Sequence, residues 1–387
     1  MPDDSAKLTL TLHPKIAEID PASWDACAGD DNPFVSHAFL SAMEDSGSAG
    51  PRTGWLPQHA ALRDETDSLV AVAPMYAKSH SYGEYVFDHG WADAFERAGG
   101  KYYPKLQVAS PFSPVPGPRL LRRPDAGISI EGLGGALVQA CRQLKLSSVH
   151  VSFCTEQEWD ALGETGWLKR LGTQFHWENA GYTSFDDFLG ALSSRKRKVL
   201  RRERRDANAC GLEYLALSGA QIQEHHWDAF YRFYQGTVDR KWGSAYLTRE
   251  FFSLLSERLG DKVVLMLAEH DGKPVAGALN LAGADTLYGR NWGCRGDWPF
   301  LHFELCYYRA IDWAIAHGLK RVEAGAQGQH KIQRGYLPQP TYSAHWIANA
   351  GLSRAVDNFL TEERQEIIGH MAALAEQSPF RKAGDTD

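Results

Sequence analysis

Trp24-Asp25-Ala26 recurs as Trp227-Asp228-Ala229, 203 positions later, and each copy opens a short helical pattern. Phe34-Val35-Ser36-x-x-Phe39-Leu40-Ser41 then matches Tyr246-Leu247-Thr248-x-x-Phe251-Phe252-Ser253. In both, a Ser or Thr hydroxyl stands where a helix N-cap oxygen is wanted, directly ahead of apolar residues at helical spacing. Ala60 to Tyr76 parallels Leu267 to Leu281, with Val70-Ala71 aligned on Val275-Ala276, and each reads as strand, polar turn, strand. Ala140 to Val151 parallels Trp313 to Ala324, a helix followed by a strand that begins at Val149 or Val322. One module of two helices, an antiparallel hairpin, a longer helix and a further strand is therefore used twice. That order predicts an α+β fold with mixed sheets flanked by helices, in tandem duplicate.

The spacing between matching segments shrinks along the chain, which locates an insertion in the first copy over residues 91–130. It is rich in Pro, Gly and aromatics (KYYPKLQVASPFSPVPGPRLL) and reads as loop-dominated, because Pro resists helix and central strand alike. Such a stretch is either a functional loop or a surface loop packed by its own rings. The expected division is 1–178 for the first module, 179–350 for the second, and 351–387 for a C-terminal helix and tail. The helical pattern from Leu352 to Glu376 is expected to dock on the second module.

The chain's 387 residues are 43% apolar, with 41 Lys+Arg against 48 Asp+Glu and a formal net charge of −7. This suits a soluble protein of two or three domains. The longest apolar run, Val263 to Ala268, is far below the roughly 20 residues that span a bilayer. The N-terminus lacks a basic flank followed by an apolar core, so neither signal peptide nor membrane span is expected. Six scattered cysteines with no C-x-x-C pair suit reduced thiols and a cytoplasmic setting, without a metal site.

Charge is unevenly placed. Arg195 to Arg205 (RKRKVLRRERR) holds eight basic residues and one acid, so setting aside its net +7 leaves the rest of the chain at −14. Ser193 or Ser194 can cap it and Gly211 can end it, which predicts one helix over 195–210 with Val199, Leu200 and Ala207 inward. Like charges at four-residue spacing destabilise a helix. An anionic ligand or the acidic remainder of the protein would offset that, and both readings stand. Arg195, Lys198, Arg201, Arg202 and Arg205 are the candidate anion-binding residues on this helix.

No H-E-x-x-H, G-x-S-x-G or P-loop string occurs, so metal-dependent and serine-nucleophile hydrolysis are not expected. The densest polar cluster runs from Glu323 to Tyr336 (EAGAQGQHKIQRGY). Alternation along a strand sets Glu323 opposite Val322 and Ala324, and its counterpart in the first copy is His150. Glycines there permit close backbone approach, and His330, Lys331 and Arg334 can converge from a loop at a strand end. A second cluster is Phe87-Asp88-His89-Gly90-Trp91, followed by Tyr103 and Lys105. Asp beside His among aromatics could orient an imidazole or bind an amine, although neighbours on a strand face opposite sides.

Several long strings carry a resemblance: FDHGWADAFERAGGKYYPKLQVASPFSPVPGPRLL from Phe87, SSRKRKVLRRERR from Ser193, and EAGAQGQHKIQRGYLP from Glu323 followed by YSAHW. With the periodicity of Leu301 to Ala314, they make the chain resemble the FemAB-like branch of the GNAT acyltransferase superfamily, over about residues 20 to 380. The resemblance implies two GNAT-like domains meeting at a cleft, and transfer of an acyl or aminoacyl group to a primary amine, such as one of a cell-wall precursor. It implies acyl-CoA or aminoacyl-tRNA as the co-substrate, hence an anionic donor or acceptor, with tRNA among the candidate partners. Arg290-x-x-Gly293-x-Arg295 is a partial echo of a CoA pyrophosphate loop. On this reading Glu323 or His330 is the catalytic base. Asp88, His89, Trp91, Tyr103, Lys105, Gln327, Lys331, Arg334 and Tyr336 bind substrate, and Arg290 joins the basic helix on the donor. Two alternatives stay open: a non-catalytic double-GNAT protein recognising a peptidoglycan precursor or RNA, and an acyl-CoA N-acetyltransferase of small metabolites.

Overall fold

The structure is a computed structural model that describes residues 8–240, 243, 245–325 and 328–381. Its chain forms two compact units, one of residues 1–172 with 340–368 and the other of 173–339 with 369–387. The units are therefore not consecutive halves.

In the first unit, helices α1 (Pro21–Ala28) and α2 (His37–Asp45) stand where the repeat places them. Ser36 caps α2 by accepting from the Phe39 amide at 3.2 Å. One sheet of four antiparallel strands has the order β1 (Thr9–His13), β3 (His59–Arg63), β4 (Leu69–Ala73), β7 (Leu121–Arg122). The other runs β2 (Trp55–Pro57), β5 (Met75–Lys78), β6 (Lys105–Val108), β8 (Ser148–Cys154), β15 (Leu337–Ile347). β6 and β8 pair in parallel, with α4 (Ile130–Gln143) leading into β8, and α5 (Glu156–Glu164) follows.

The second unit repeats the plan. Helices α6 (Phe185–Ala191) and α7 (Ser194–Asn208) lead into α8 (Glu224–Arg240) and α9 (Arg249–Leu259), and Thr248 caps α9 through the Phe251 amide at 3.2 Å. The sheet runs β10 (Glu213–Ser218), β11 (Val263–His270), β12 (Lys273–Ala282), β13 (Thr286–Cys294), β14 (Arg321–Glu323), β9 (Leu168–Glu178). β13 and β14 are again the parallel pair, and the connection passes through α10 (Leu301–Phe303), a π-helical turn and α11 (Arg309–Ala316). Trp24 and Trp227, the first repeat anchors, are both fully buried.

Each module thus takes its last strand from a distant segment. β15, at the end of the span expected of the second module, pairs with β8 in the first unit, whereas residues 173–178 of β9, at the end of the span expected of the first, belong to the second. The C-terminal helix α12 (Ala350–Ala375) departs from expectation over most of its length, and only its end, with Leu374, joins the second unit. Leu352, Val356 and Leu360 pack with Trp91, Tyr102 and Ile347 in the first unit, because the chain has already returned there along β15.

Two further expectations are corrected. The insertion 91–130 is not a surface loop: it carries most of α3 (His89–Arg97), all of β6 and β7, and a buried run through Phe112 and Val115. Arg119, fully buried, replaces the donors that its prolines lack by giving hydrogen bonds to the carbonyls of Gly117, Pro118 and Ser152. The basic helix is α7, and Val199 is 45% exposed; Leu200, Glu203 and Ala207 face inward. None of the described helices is long and apolar enough to cross a membrane.

Candidate active site

In the second unit the β13–β14 ladder ends at Tyr288↔Glu323 while β13 continues to Cys294. Beyond that fork the main chain of β13 has no partner in β14. A bulge between the partners of Ala278 and Asn280 twists β13 at the same level. Glu323 stands at the fork, buried, and pairs in register with His176 of β9, whose Nε2 lies 3.8 Å from its carboxylate. Burial, with Arg321 and Lys331 adding to it, pushes the His176 imidazole down to about 3, so it is neutral at physiological pH. Its Nε2–H donates to Gln174 Oε1 at 3.2 Å.

After the fork the chain turns through Ala324 and Gly325 to the 3-10 helix Gln329–Arg334. Lys331 is buried and donates to the carbonyls of Ala324 at 2.6 Å and Gly325 at 2.8 Å. Arg334 is buried too: its guanidinium pairs with Glu203 at 2.8 Å and lies 3.4 Å over the Phe303 ring. Glu203 also accepts from the Tyr308 hydroxyl. Both cations expected to hold an anionic substrate are therefore engaged inside the protein, and their role in this fold is to shape the turn. Tyr336 is likewise buried, donating to the Tyr307 carbonyl at 3.2 Å.

His330 differs from these neighbours. It is exposed, its Nε2 lies 2.9 Å from the Tyr307 hydroxyl, and its ring sits among His302, Phe303 and Tyr307. Desolvation first, then Arg334 and Lys331, lower its pKa and favour the neutral ring. The Tyr307 hydroxyl can either donate to or accept from Nε2, and in the tautomer where Nε2–H donates, Nδ1 carries a lone pair. Gln327 lies outside the described residues. Arg290 is half-buried on β13. Arg290-x-x-Gly293-x-Arg295 is strand as far as Cys294, and an added Cβ on Gly293 would stand 2.2 Å from the Phe233 carbonyl, so this glycine serves helix-to-strand packing rather than a phosphate cradle.

On α7, Arg195, Lys198, Arg201, Arg202 and Arg205 are all exposed. Lys198, Arg201, Arg202 and Arg205 fall at helical spacing on one stripe. Arg201 pairs with Asp186 at 3.4 Å with both side chains more than half exposed, and Arg205 with Asp206 at 3.0 Å, pairs of little energetic weight. Arg204 instead turns inward to Asp312 and Glu304.

The first unit holds the equivalent position at His150, fully buried on β8 and in register with His345 of β15. The two rings meet Nδ1 to Nδ1 at 2.7 Å. Burial and Lys105 push His150 down to about 3, and burial and His150 hold His345 well below the usual imidazole range. Tyr102 donates to Asp88 at 2.7 Å, and Lys105 contacts the same carboxylate and Glu84 at 2.7 Å. Since the carboxylate can only accept, Tyr102 is the donor to Asp88, while His150 Nε2 meets the Ser148 hydroxyl at 2.8 Å, so either ring can donate across the His150–His345 contact. Burial works against the Asp88 charge, but Lys105 outweighs it and holds the carboxyl well below its ordinary value. Here no fork is open: Gly117 N donates to Phe153 O at 3.0 Å and Arg119 Nε to Ser152 O at 3.1 Å, so Ser110–Arg119 covers the end of β8.

Of the residues expected to bind substrate here, Asp88, Trp91 and Lys105 are buried, Tyr103 is half-buried and His89 is exposed. Asp88 and His89 part company, one inward and one outward. His176, His345, Glu203, Tyr102 and Tyr307 were not anticipated. A signal for the first two was present: Phe175-His176-Trp177 and Ala344-His345-Trp346 are a further repeat of the same module.

A family model for FemAB-like proteins, described as peptidoglycan biosynthesis/recognition, matches residues 15–382. No curated protein matches the chain. Among solved structures, the C-terminal domain of a putative lysylphosphatidylglycerol synthetase from Agrobacterium fabrum is similar with a TM-score of 0.57 at 11% identity, over 90% of this chain and 97% of that one. FemX is similar with a TM-score of 0.54 at 10% identity, over 91% and 100%. L-PGS from Bacillus licheniformis reaches 0.52 at 10% identity, over 91% and 98%. Identities this low speak for the fold alone. With its duplicated module, its two parallel strand pairs and a family match over nearly its whole length, the chain is a tandem GNAT-like protein and belongs to the FemAB-like family.

Proposed function

We propose that the second unit transfers an aminoacyl group from an aminoacyl-tRNA to a primary amine of a cell-wall precursor. The observation that carries this reading is the open fork at Tyr288↔Glu323, with exposed, neutral His330 beside it. The equivalent place in the first unit is filled by Ser110–Arg119. The amine nitrogen attacks the ester carbonyl, a C–N bond forms and the ester C–O bond breaks. His330 Nδ1 takes the proton from nitrogen and returns it to the departing ribose hydroxyl, with Tyr307 holding the imidazole in the required tautomer. Main-chain N–H groups of β13 past the fork supply the oxyanion contact. Glu323 fixes the end of β14 against β9.

Two features favour tRNA over CoA. The Arg290–Arg295 segment is strand and offers no pyrophosphate loop. The exposed cations of α7 run from Arg195 to Arg205, about 15 Å at 1.5 Å per residue, which suits several successive phosphates rather than one pyrophosphate. Replacing Arg201, Arg202 and Arg205 by Gln should weaken tRNA binding and lower the slope of log K against log salt by about 2 to 3. Filter binding with charged and uncharged tRNA measures it. H330A should lose transfer without losing tRNA affinity; full transfer by H330A, or stabilisation by CoA but not by tRNA, overturns the proposal.

A further inference from the structure

The segment between β5 and α3 is built in an unusual way. Tyr82 is 71% exposed and Phe87 65% exposed, whereas both carboxylates of the segment, Glu84 and Asp88, are turned inward and buried. The exposed rings of Tyr82, His89 and Phe87 form a row with half-buried His80 at its end: His80 to Tyr82 at 5.1 Å between centroids, Tyr82 to His89 at 5.7 Å, His89 to Phe87 at 6.4 Å, the successive planes tilted by 61°, 52° and 31°.

Beneath them the segment is tied down by cations. Lys78, fully buried, donates to the Tyr82 carbonyl at 3.1 Å. Lys105 donates to Ser81 at 2.8 Å as well as to the two carboxylates. Arg170, itself bridged to Glu363, donates to the Phe87 carbonyl at 2.7 Å. His80 accepts from the Tyr82 amide at 3.2 Å and lies over Gly54, where an added Cβ would meet its ring at 2.3 Å. Burying ammonium groups is costly, and buried ion pairs contribute little net stability, so the stability of the fold does not account for this arrangement. Its effect is to hold large rings outward in a fixed row, which removes the ordering cost of binding something flat.

We propose that His80, Tyr82, His89 and Phe87 form a saccharide-binding platform on the first unit. The inference deepens the reading of the acceptor as a cell-wall precursor and rests on it for the choice of sugar. Aromatic faces stack on the C–H face of a pyranose, and imidazole nitrogens between them reach ring hydroxyls and N-acetyl groups. Because the acids face inward, the segment's exposed surface presents rings and no carboxylate, lysine or arginine, as suits a neutral glycan; an anionic membrane surface would call for basic residues instead.

The test is titration of the full chain with N-acetylglucosamine oligosaccharides, followed by calorimetry, for wild type and for Y82A/F87A. Binding should weaken at least tenfold in the variant, with thermal stability unchanged because both rings are exposed. An E84Q variant, which loosens the support beneath, should weaken binding less while leaving the rings in place. No binding by wild type, or undiminished binding by Y82A/F87A, overturns the proposal. So does a variant that instead loses association with phosphatidylglycerol vesicles or self-association in solution. The titration needs no donor, so failure of the transfer reaction and failure of the platform are read separately.

Discussion

Replacing Glu203 by Ala tests how the basic helix is held. Glu203 is the one acid within Arg195–Arg205, and it faces inward, accepting from Arg334 at 2.8 Å and from the Tyr308 hydroxyl. The side chains of Glu203 and Arg334 are 11% and 8% exposed. Truncation leaves a buried guanidinium without its counter-ion and a buried phenol without an acceptor. Losing one partner of such a pair costs about 3–5 kcal/mol. At roughly 2–4 °C per kcal/mol for a unit of this size, the second unit's thermal transition should fall by about 6–20 °C. Differential scanning calorimetry measures it, with tryptophan fluorescence in urea as the second probe. The E203A/R334M double variant should be less destabilised than the sum of the singles by at least about 1 kcal/mol, because the unpaired charge has gone and Met can still cover Phe303. An E203A protein within about 1 kcal/mol of wild type, or strictly additive singles, would refute the view that this pair anchors α7 to the Gln329–Arg334 turn.

Arg119→Ala should destabilise the first unit by about 3 kcal/mol or more, since it strands the buried carbonyls of Gly117, Pro118 and Ser152, and Lys should rescue only partly because it lacks the planar fork; urea unfolding reads both. Gly293→Ala should cost about 1–3 kcal/mol by driving α8 off β13, again seen in the urea midpoint, whereas Gly135→Ala, with open space at its Cβ, should not. Acid should destabilise the protein through its buried histidines. Their folded pKa values lie below 6.5, so the unfolded chain binds more protons; stability is full above about 6.5 and is lost as pH falls toward about 3. Between pH 7 and 5, His150 and His176 each remove about 2 kcal/mol and His345 acts in the same direction, while Glu84, held up at about 7, gains protons on folding and offsets about one of them. His176→Gln should accordingly flatten the urea-midpoint profile of the second unit over that range, and an unchanged profile would contradict its neutral burial.

The repeat was legible because its anchors are local. Ser36 and Thr248 cap helices in any context where apolar periodicity follows, and the hairpins around Asp64 and Asp271 announce themselves by alternation broken at a polar turn. The basic helix was equally plain, yet its inward face was misjudged. Val199 is the more hydrophobic candidate by composition, but Glu203 goes in because a buried cation and a phenol wait for it. The same applies at the candidate site. Chemistry-bearing residue types were found at Glu323, His330 and Asp88, while Lys331, Arg334 and Lys105 turned out to be internal ties.

The sequence by itself determined the module, its duplication, its charged helix and the family, since periodicity, capping and string identity are properties of neighbouring residues. Only the tertiary structure decided which strand completes which unit. His150 meets His345 across 195 positions, and β9 and β15 join units away from their own modules. Strand partners are chosen by burial and backbone pairing between distant segments, and nothing in either segment alone carries that information. The same long-range packing leaves the second unit's fork open while Arg119 covers its counterpart, and it turns Tyr82 and Phe87 outward above buried charge.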